Sequence, residues 1–201
     1  MTRTVFAVVI LGALAAVASP GCKDAGVGDP CTPEQEYNPD FAGFSDNEVN
    51  VESKSFQCQT RVCLVNHFRG RVSCPYGQGK DGAPPSGAQT ACTVPGDNTQ
   101  NIVPDDPKNG KQVQPQCTDR QADKAVYCSC RCANKDGRTD DGSNYCTCPD
   151  GFACEQLVSS IGTGNEGLTG AYCIKAGTKY NGTCGDDCDA TTGNCGTAQL
   201  K

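Results

Sequence analysis

The sequence predicts a small disulfide-rich fold, mainly β and irregular, in which short hairpins are cross-linked by disulfides and little helix forms. Three observations carry this expectation. The chain holds 17 cysteines in 201 residues. Its N-terminus has the pattern of an export signal, which places the cysteines where thiols oxidise. Only 23 Leu, Ile, Val and Phe residues follow Cys22, in a chain of net charge −6. So small an apolar fraction would ordinarily leave a chain unfolded. Bridges worth ~2–4 kcal/mol each then have to supply what a large core cannot.

The export reading rests on residues 1–21. Arg3 is the single charge in a short leading segment, and "VFAVVILGALAAVAS" from Val5 to Ser19 is an uncharged, apolar run ending in small residues. It is shorter than the ~20 residues that span a bilayer as a helix. Two cleavage sites compete. Ala16-Val17-Ala18 fits the A-x-A pattern and would release a soluble chain beginning at Ser19. Gly21-Cys22 resembles the end of a lipobox, in which the cysteine receives a lipid and becomes the first mature residue.

Parity bears on this choice. An exported protein with an odd number of cysteines is expected to keep one sulfur outside its disulfide framework. With Cys22 as lipid attachment site, sixteen disulfide candidates remain: Cys31, Cys58, Cys63, Cys74, Cys92, Cys117, Cys128, Cys130, Cys132, Cys146, Cys148, Cys154, Cys173, Cys184, Cys188 and Cys195. Lys23 stands where an inner-membrane retention aspartate would be, which favours an outer-membrane or surface location.

Composition divides the chain into a signal peptide (1–21), an N-terminal four-cysteine module after the anchor (22–77), a Gly/Pro-rich linker (78–116) and a C-terminal cysteine-rich module (117–201). The first module contains Cys31, Cys58, Cys63 and Cys74, enough for two internal bridges, and most of the large apolar residues: Phe41, Phe44, Phe56, Leu64 and Phe68. The linker includes "GQGKDGAPPSGAQT" and "VPDDPKNGKQVQPQ", with little periodicity. Cys92 interrupts it. Eleven cysteines follow from Cys117 onward, so Cys92 completes twelve and is expected to pin the linker to the C-terminal module through one of six bridges there.

Within these segments, "EVNVES" alternates Val49 and Val51 with polar residues and predicts a strand. "RVCLV" and "GRVSC" flank "NHFRG" as a candidate hairpin, and "TDRQADKAVY" predicts a short helix. Cys128, Cys130 and Cys132 are spaced by two, so on an extended strand they share a face with β-carbons ~6–7 Å apart. That separation is too great for neighbours to bridge, and each must reach a different partner. The loop "ANKDGRTDDGSN" predicts that Tyr145–Cys148 runs back beside Tyr127–Cys130 as a cross-linked two-strand ribbon.

Several chemistries are disfavoured by the residue pattern. No C-x2-C pair occurs, which argues against zinc and thioredoxin-like sites. The acidic stretches "DGRTDDGSN" and "GDDCDATTGNC" lack the phasing of an EF-hand loop and read as solvated turns. Asn181-Gly182-Thr183 matches a glycosylation acceptor but reads as a turn. His67 is the only histidine, and its expected role is in a turn or packed against Phe68. No G-x-S-x-G, H-E-x-x-H or phosphate-binding loop is present, so no enzymatic activity, cofactor, metal site or catalytic residue is expected. Loss of residues 1–21 removes Arg3 and no acid, taking the net charge from −6 to −7. Such a chain is not expected to bind nucleic acid, whose phosphates are met by Lys and Arg.

Two resemblances add to this. "CTCPDGFAC", Cys146 to Cys154, is similar to the C-terminal half of an epidermal-growth-factor-like module, which implies a tight turn at Pro149-Asp150-Gly151-Phe152. The whole chain, with "VFAVVILGALAAVASPGC", "VGDPC" and its cysteine clusters, resembles uncharacterised cysteine-rich lipoproteins of Gram-negative bacteria. That resemblance implies envelope localisation, with membrane attachment through the N-terminal lipid. The expected function is a non-catalytic structural or binding role in the cell envelope. The alternative is a soluble periplasmic or secreted module that binds a protein or glycan ligand, with a metal-binding protein or enzyme a distant third.

Overall fold

The computed structural model describes residues 26–102, 112–159 and 166–195. The signal segment and Cys22 lie outside them. Among the described residues the fold consists of three small antiparallel sheets with almost no helix, as the scarcity of apolar runs and abundance of glycine dictate. The strands are β1 (Val49–Glu52), β2 (Val62–Asn66), β3 (Thr93–Val94), β4 (Asp97–Asn101), β5 (Val126–Ser129), β6 (Arg131–Ala133), β7 (Phe152–Val158) and β8 (Gly170–Lys175). One helical turn, α1 (Ala122–Ala125), leads directly into β5.

The first sheet has the order β1-β2-β5. Its central strand β2 is apolar on both faces. Cys63 and Val65 point into one core with Phe44, Phe68, Val72, Val126 and Cys128. Leu64 points into the other with Tyr127, Val158, Tyr172 and Ile174. The register Cys63↔Cys128, Leu64↔Tyr127 and Val65↔Val126 keeps the two faces consistent across strands. A one-residue slip would exchange them. Val49 and Val51 of β1 pack on the second core, which is the alternation read in "EVNVES".

The expected hairpin through "NHFRG" does not form. Both edges of β2 are already taken by β1 and β5. His67 adopts φ 49°, and the chain leaves the sheet so that Gly70 pairs with Phe44. "GRVSC" then enters a turn closed by the Cys74 N–H donating to the Arg71 carbonyl at 3.2 Å.

"YCSCRCA" is one extended run that changes sheets. Its first half is β5, bonded to β2; after Cys130 its second half is β6, bonded to β8 in the sheet β6-β8-β7. Cross-sheet hydrogen bonds fix the switch, with Ser129 Oγ donating to the Cys173 carbonyl at 2.7 Å and the Cys173 N–H donating to the Cys130 carbonyl at 3.1 Å. The partner of β6 is therefore β8, and the expected ribbon with Tyr145–Cys148 is not present. That returning segment is irregular and attaches through one backbone bond, Cys146 N–H to the Arg131 carbonyl at 3.0 Å.

All sixteen cysteines from Cys31 to Cys195 are paired. The bridges are Cys31–Cys63, Cys58–Cys128, Cys74–Cys92, Cys117–Cys184, Cys130–Cys146, Cys132–Cys154, Cys148–Cys173 and Cys188–Cys195. Cys128, Cys130 and Cys132 each reach a different partner, as their spacing requires. The partition into two and six bridges is corrected. Cys58 crosses to Cys128 on β5, because β2 and β5 are sheet neighbours. Cys92 pairs with Cys74 and not with the C-terminal segment.

That last bridge organises part of the Gly/Pro-rich segment. Cys74, Cys92, Val94, Ile102 and Val113 form a small core of their own, and β3 and β4 make a hairpin within it. Gln78 closes it: its backbone exchanges hydrogen bonds with Val113, and its side chain takes the Cys92 N–H and donates to the Ile102 carbonyl. Gly77 sits at φ 68° with its α-carbon facing the Val113 carbonyl. A β-carbon there would meet backbone oxygen, so glycine is required twice over.

One buried ion pair braces the first core. Glu36 and Arg71 have fully buried side chains 3.9 Å apart. Glu36 accepts the Val72 N–H at 2.5 Å and both the N–H and hydroxyl of Ser73 at 2.9 and 2.7 Å. Arg71 donates to the carbonyls of Glu36, Phe41 and Asn38.

Candidate functional site

The cysteines marked as structural at the level of sequence are occupied as such. Three groups of sulfurs lie within 4.8 Å of one another, Cys31/Cys58/Cys128, Cys130/Cys146/Cys173 and Cys132/Cys148/Cys154. Every member is bound in a disulfide. A disulfide sulfur lacks the thiolate charge that makes cysteine a metal ligand. In this oxidised state the clusters serve as cross-links.

The acidic loops behave as turns. Asp141 accepts from Tyr145 Oη at 2.6 Å, Asn134 Nδ2 at 2.9 Å and the Ser143 N–H at 3.0 Å, and these bonds hold its carboxyl well below the usual range, Tyr145 contributing most. Asp136 and Asp140 pair with Lys135 and Arg138. Asp189 bonds the N–H and hydroxyl of Thr191, and Asn181 does the same for Thr183. The carboxylates of Asp136, Asp140, Asp141 and Asp189 are thus engaged locally, in side-chain turns that need no ion.

His67 is likewise structural. Its Nδ1 lies 2.9 Å from the Asp46 carbonyl, and its ring stacks on Tyr180 at 4.3 Å, not on Phe68. Tyr180 donates to Asp46 at 3.1 Å. Arg120 passes over Tyr180 and donates to the carbonyls of Asn66, His67 and Thr178 at 2.5 to 2.9 Å. These contacts hold the left-handed backbone at His67.

The turn expected at Pro149–Phe152 is present. The Phe152 N–H donates to the Pro149 carbonyl at 3.0 Å, and Gly151 at φ 82° supplies the third turn position, the requirement of a type II turn. It aims Phe152 edge-on at Tyr127, 5.8 Å away.

A candidate binding surface lies elsewhere among the described residues. A groove of about 730 Å³ is lined by Glu34, Tyr37, Glu52, Lys54, Phe56 and Arg61, among others. One wall is a single 3-10 turn, Glu34–Tyr37. The other is the loop joining β1 to β2. Phe56, one of the large apolar residues of the N-terminal module, is 87% exposed, and Tyr37 is 45% exposed. Large aromatic side chains left in water around one groove are characteristic of interaction surfaces.

The walls are built rigidly. Gln57 clamps Thr32 through two hydrogen bonds of 3.0 and 2.7 Å. Glu52 accepts the Glu34 N–H at 3.0 Å. Bridges Cys31–Cys63 and Cys58–Cys128 pin both walls to the first sheet within a few residues of the groove. Arg61 is held at φ 63° by its N–H donating to the Cys58 carbonyl at 2.9 Å and its carbonyl accepting from the Ser55 N–H at 3.0 Å. The guanidinium then lies 4.6 Å from the centre of the Phe56 ring, a cation–π contact that orients the exposed aromatic. Left-handed backbone at a non-glycine residue carries strain that the surrounding structure has to hold in place.

Electrostatics in the groove are mixed. Burial pushes the Glu52 carboxyl up, the Glu34 N–H opposes this, and the Glu34 charge adds to it. Tyr37 is raised by burial and then by the charges of Glu36 and Glu52. Lys54 and Arg61 offer positive charge on the same rim. The arrangement offers aromatic faces, hydrogen-bond acceptors and two cations to a polar ligand with apolar faces. Sequence reasoning missed this site because its walls come from segments about twenty residues apart, and Phe56 in isolation looks like core.

No protein family, no curated protein and no solved structure matches this chain. Among the described residues no helix is long and apolar enough to cross a membrane. The eight bridges fit an exported chain in an oxidising compartment.

Proposed function

We propose that the protein is a non-catalytic lipoprotein of the cell envelope, anchored through lipidated Cys22, whose rigid module presents the Tyr37/Phe56/Arg61 groove to an envelope protein or glycan. The observation that carries the anchor is one of parity. Sixteen of the 17 cysteines pair with one another, and Cys22, directly behind the apolar run, is the one left over.

The fold begins close behind that residue. The Gly28 N–H donates to the Cys128 carbonyl and the Cys128 N–H to the Asp29 carbonyl, each at 2.8 Å, so "VGDPC" docks along β5. Six residues from Cys22 to Gly28 reach at most about 20 Å. The acyl chains would supply the attachment, since a chain of net charge −7 after cleavage, from −6 less Arg3, has little electrostatic attraction for anionic lipid.

The binding half of the reading is tested by Phe56→Ala. Its side chain is exposed, so thermal stability is expected to stay within about 1 °C, in keeping with surface substitutions that cost under about 0.5 kcal/mol. Capture of envelope protein or glycan from a detergent extract by the immobilised module is expected to fall at least about ten-fold, the loss of one aromatic anchor. Equal capture by wild type and variant would remove the groove from the account. Cys22→Ser tests the anchor separately: the chain is expected to move from the detergent to the aqueous phase on partition. A variant that stays in the detergent phase would remove Cys22 as the anchor, and a wild-type chain already in the aqueous phase would favour the soluble alternative released at Ala18.

A further inference from the structure

The three bridges Cys130–Cys146, Cys148–Cys173 and Cys132–Cys154 are stacked against one another. Cys173 Sγ lies 3.7 Å from both Cys130 Sγ and Cys146 Sγ, which are bonded to each other. Its own partner Cys148 lies within 4.8 Å of both Cys132 Sγ and Cys154 Sγ, also bonded to each other. The Cys148–Cys173 bridge is therefore a middle rung, with a second disulfide within reach of each end. Backbone bonds hold the rungs in place independently of the sulfurs: Cys154 pairs with Cys173 in the β7–β8 register, and Cys173 bonds Cys130.

Access is graded along the stack. Cys154 is exposed, and it is the only exposed cysteine among the sixteen described. Cys146 and Cys148 are half-buried, while Cys130, Cys132 and Cys173 are buried. Thiol–disulfide exchange proceeds by attack of a thiolate on a neighbouring sulfur, so proximity and access decide which bridges exchange. The cluster of Cys31, Cys58 and Cys128 has similar proximity, but all three are buried, as is Cys63, the fourth sulfur of its two bridges. It has no point of entry.

The geometry points to a thiol–disulfide relay in which two electrons delivered at Cys154 by an external dithiol emerge as thiols at Cys154 and Cys146. The dithiol's thiolate attacks Cys154 Sγ, forming a mixed disulfide and expelling the Cys132 thiolate. Its second thiol then attacks its own sulfur in that mixed disulfide, releasing the Cys154 thiol and leaving the dithiol oxidised. The Cys132 thiolate attacks Cys148, forming Cys132–Cys148 and expelling the Cys173 thiolate. This attacks Cys130, forming Cys130–Cys173 and expelling the Cys146 thiolate, which takes a proton from solvent. The last two steps exchange bonds without net oxidation or reduction. Expulsion of Cys146 is favoured over that of Cys130 because the half-buried sulfur keeps its charge solvated, whereas the buried one does not.

The test treats the native protein with one equivalent of dithiothreitol, quenches with acid and N-ethylmaleimide, and maps peptides without reduction. The expected product carries label on Cys146 and Cys154, with bridges Cys132–Cys148 and Cys130–Cys173. In the double variant C148S/C173S, which lacks the middle rung, label is expected to remain on Cys132 and Cys154. Label on Cys132 and Cys154 alone in the wild type would overturn the relay. So would first labelling at any cysteine outside these six.

Discussion

Replacing Cys58 and Cys128 together by serine is expected to cost about 4 kcal/mol, whereas the same change at Cys188 and Cys195 costs about 2 kcal/mol. The first bridge closes a sequence separation of 70 and the second one of 7. Freedom returned to the unfolded chain grows with the length of the loop released. Cys58–Cys128 also fastens the groove loop to β5, so its loss is expected to release Phe56 and Arg61 from their fixed positions. Urea melts of the two double variants, followed by circular dichroism without reductant, measure the difference. Equal costs would show that the bridges act through native-state contacts and not through chain entropy. Reduction of all eight bridges is expected to abolish the β signal altogether, because the described apolar residues are divided among four small clusters.

Glu36→Ala is expected to cost about 3–5 kcal/mol, the range for breaking a fully buried ion pair by removing one partner. Arg71 would keep its charge in the core, and the N–H groups of Val72 and Ser73 would lose their acceptor. A cost below about 1 kcal/mol would contradict the assignment, since that is the scale of a surface pair. Glu36→Gln adds a pH test. Burial raises the Glu36 carboxyl above its ordinary value of 4.5, against hydrogen bonds from Ser73 and Val72 and the charge of Arg71. The native state then binds more protons than the unfolded state above that pH, so the wild-type chain loses stability as pH rises through the interval. Glutamine does not titrate. The cost of Glu36→Gln, read from melts at successive pH values, is therefore expected to shrink from acid towards neutral pH. A cost that grows with pH would mean that Arg71 and the hydrogen bonds outweigh burial.

How far the sequence carries depends on whether a feature is local. The strand at Val49–Glu52, the helical turn at Ala122–Ala125 and the turn at Pro149–Phe152 each follow from a few adjacent residues. The divergence of Cys128, Cys130 and Cys132 follows from strand geometry alone. Features that join distant segments did not show themselves. "RVCLV" looks like half of a hairpin, yet its partners are β1 and the distant β5, and no local signal states that both of its edges are filled. The parity of the cysteine count places Cys92 with the C-terminal segment, but parity carries no spatial information, and the sulfur beside Cys92 is that of Cys74. Glu36 and Arg71 are 35 residues apart, in sequence contexts typical of surface polar residues. The groove fails to announce itself for the same reason, with an added inversion: Phe56 has the residue type of a core position and the exposure of a binding one.

The same distinction governs the chemistry. Closely spaced cysteines such as "YCSCRC" suggest a metal or redox centre when read as isolated thiols. Along the β5–β6 run they bridge to three different partners, and the bridges of Cys130 and Cys132 stack against Cys148–Cys173, so any exchange runs between disulfides and not at a free-thiol centre. The one cysteine left without a partner in this count is Cys22, and the account of anchoring turns on it. Intact-mass spectrometry of the mature protein, isolated from membranes and treated with an alkylating reagent under denaturing, non-reducing conditions, tests this most directly. The mature chain is expected to begin at acylated Cys22 and to take up no reagent, because its other sixteen cysteines are bridged. A chain that begins at Ser19 and takes up one equivalent at Cys22 would contradict the anchor, and one that takes up several would contradict the framework as well.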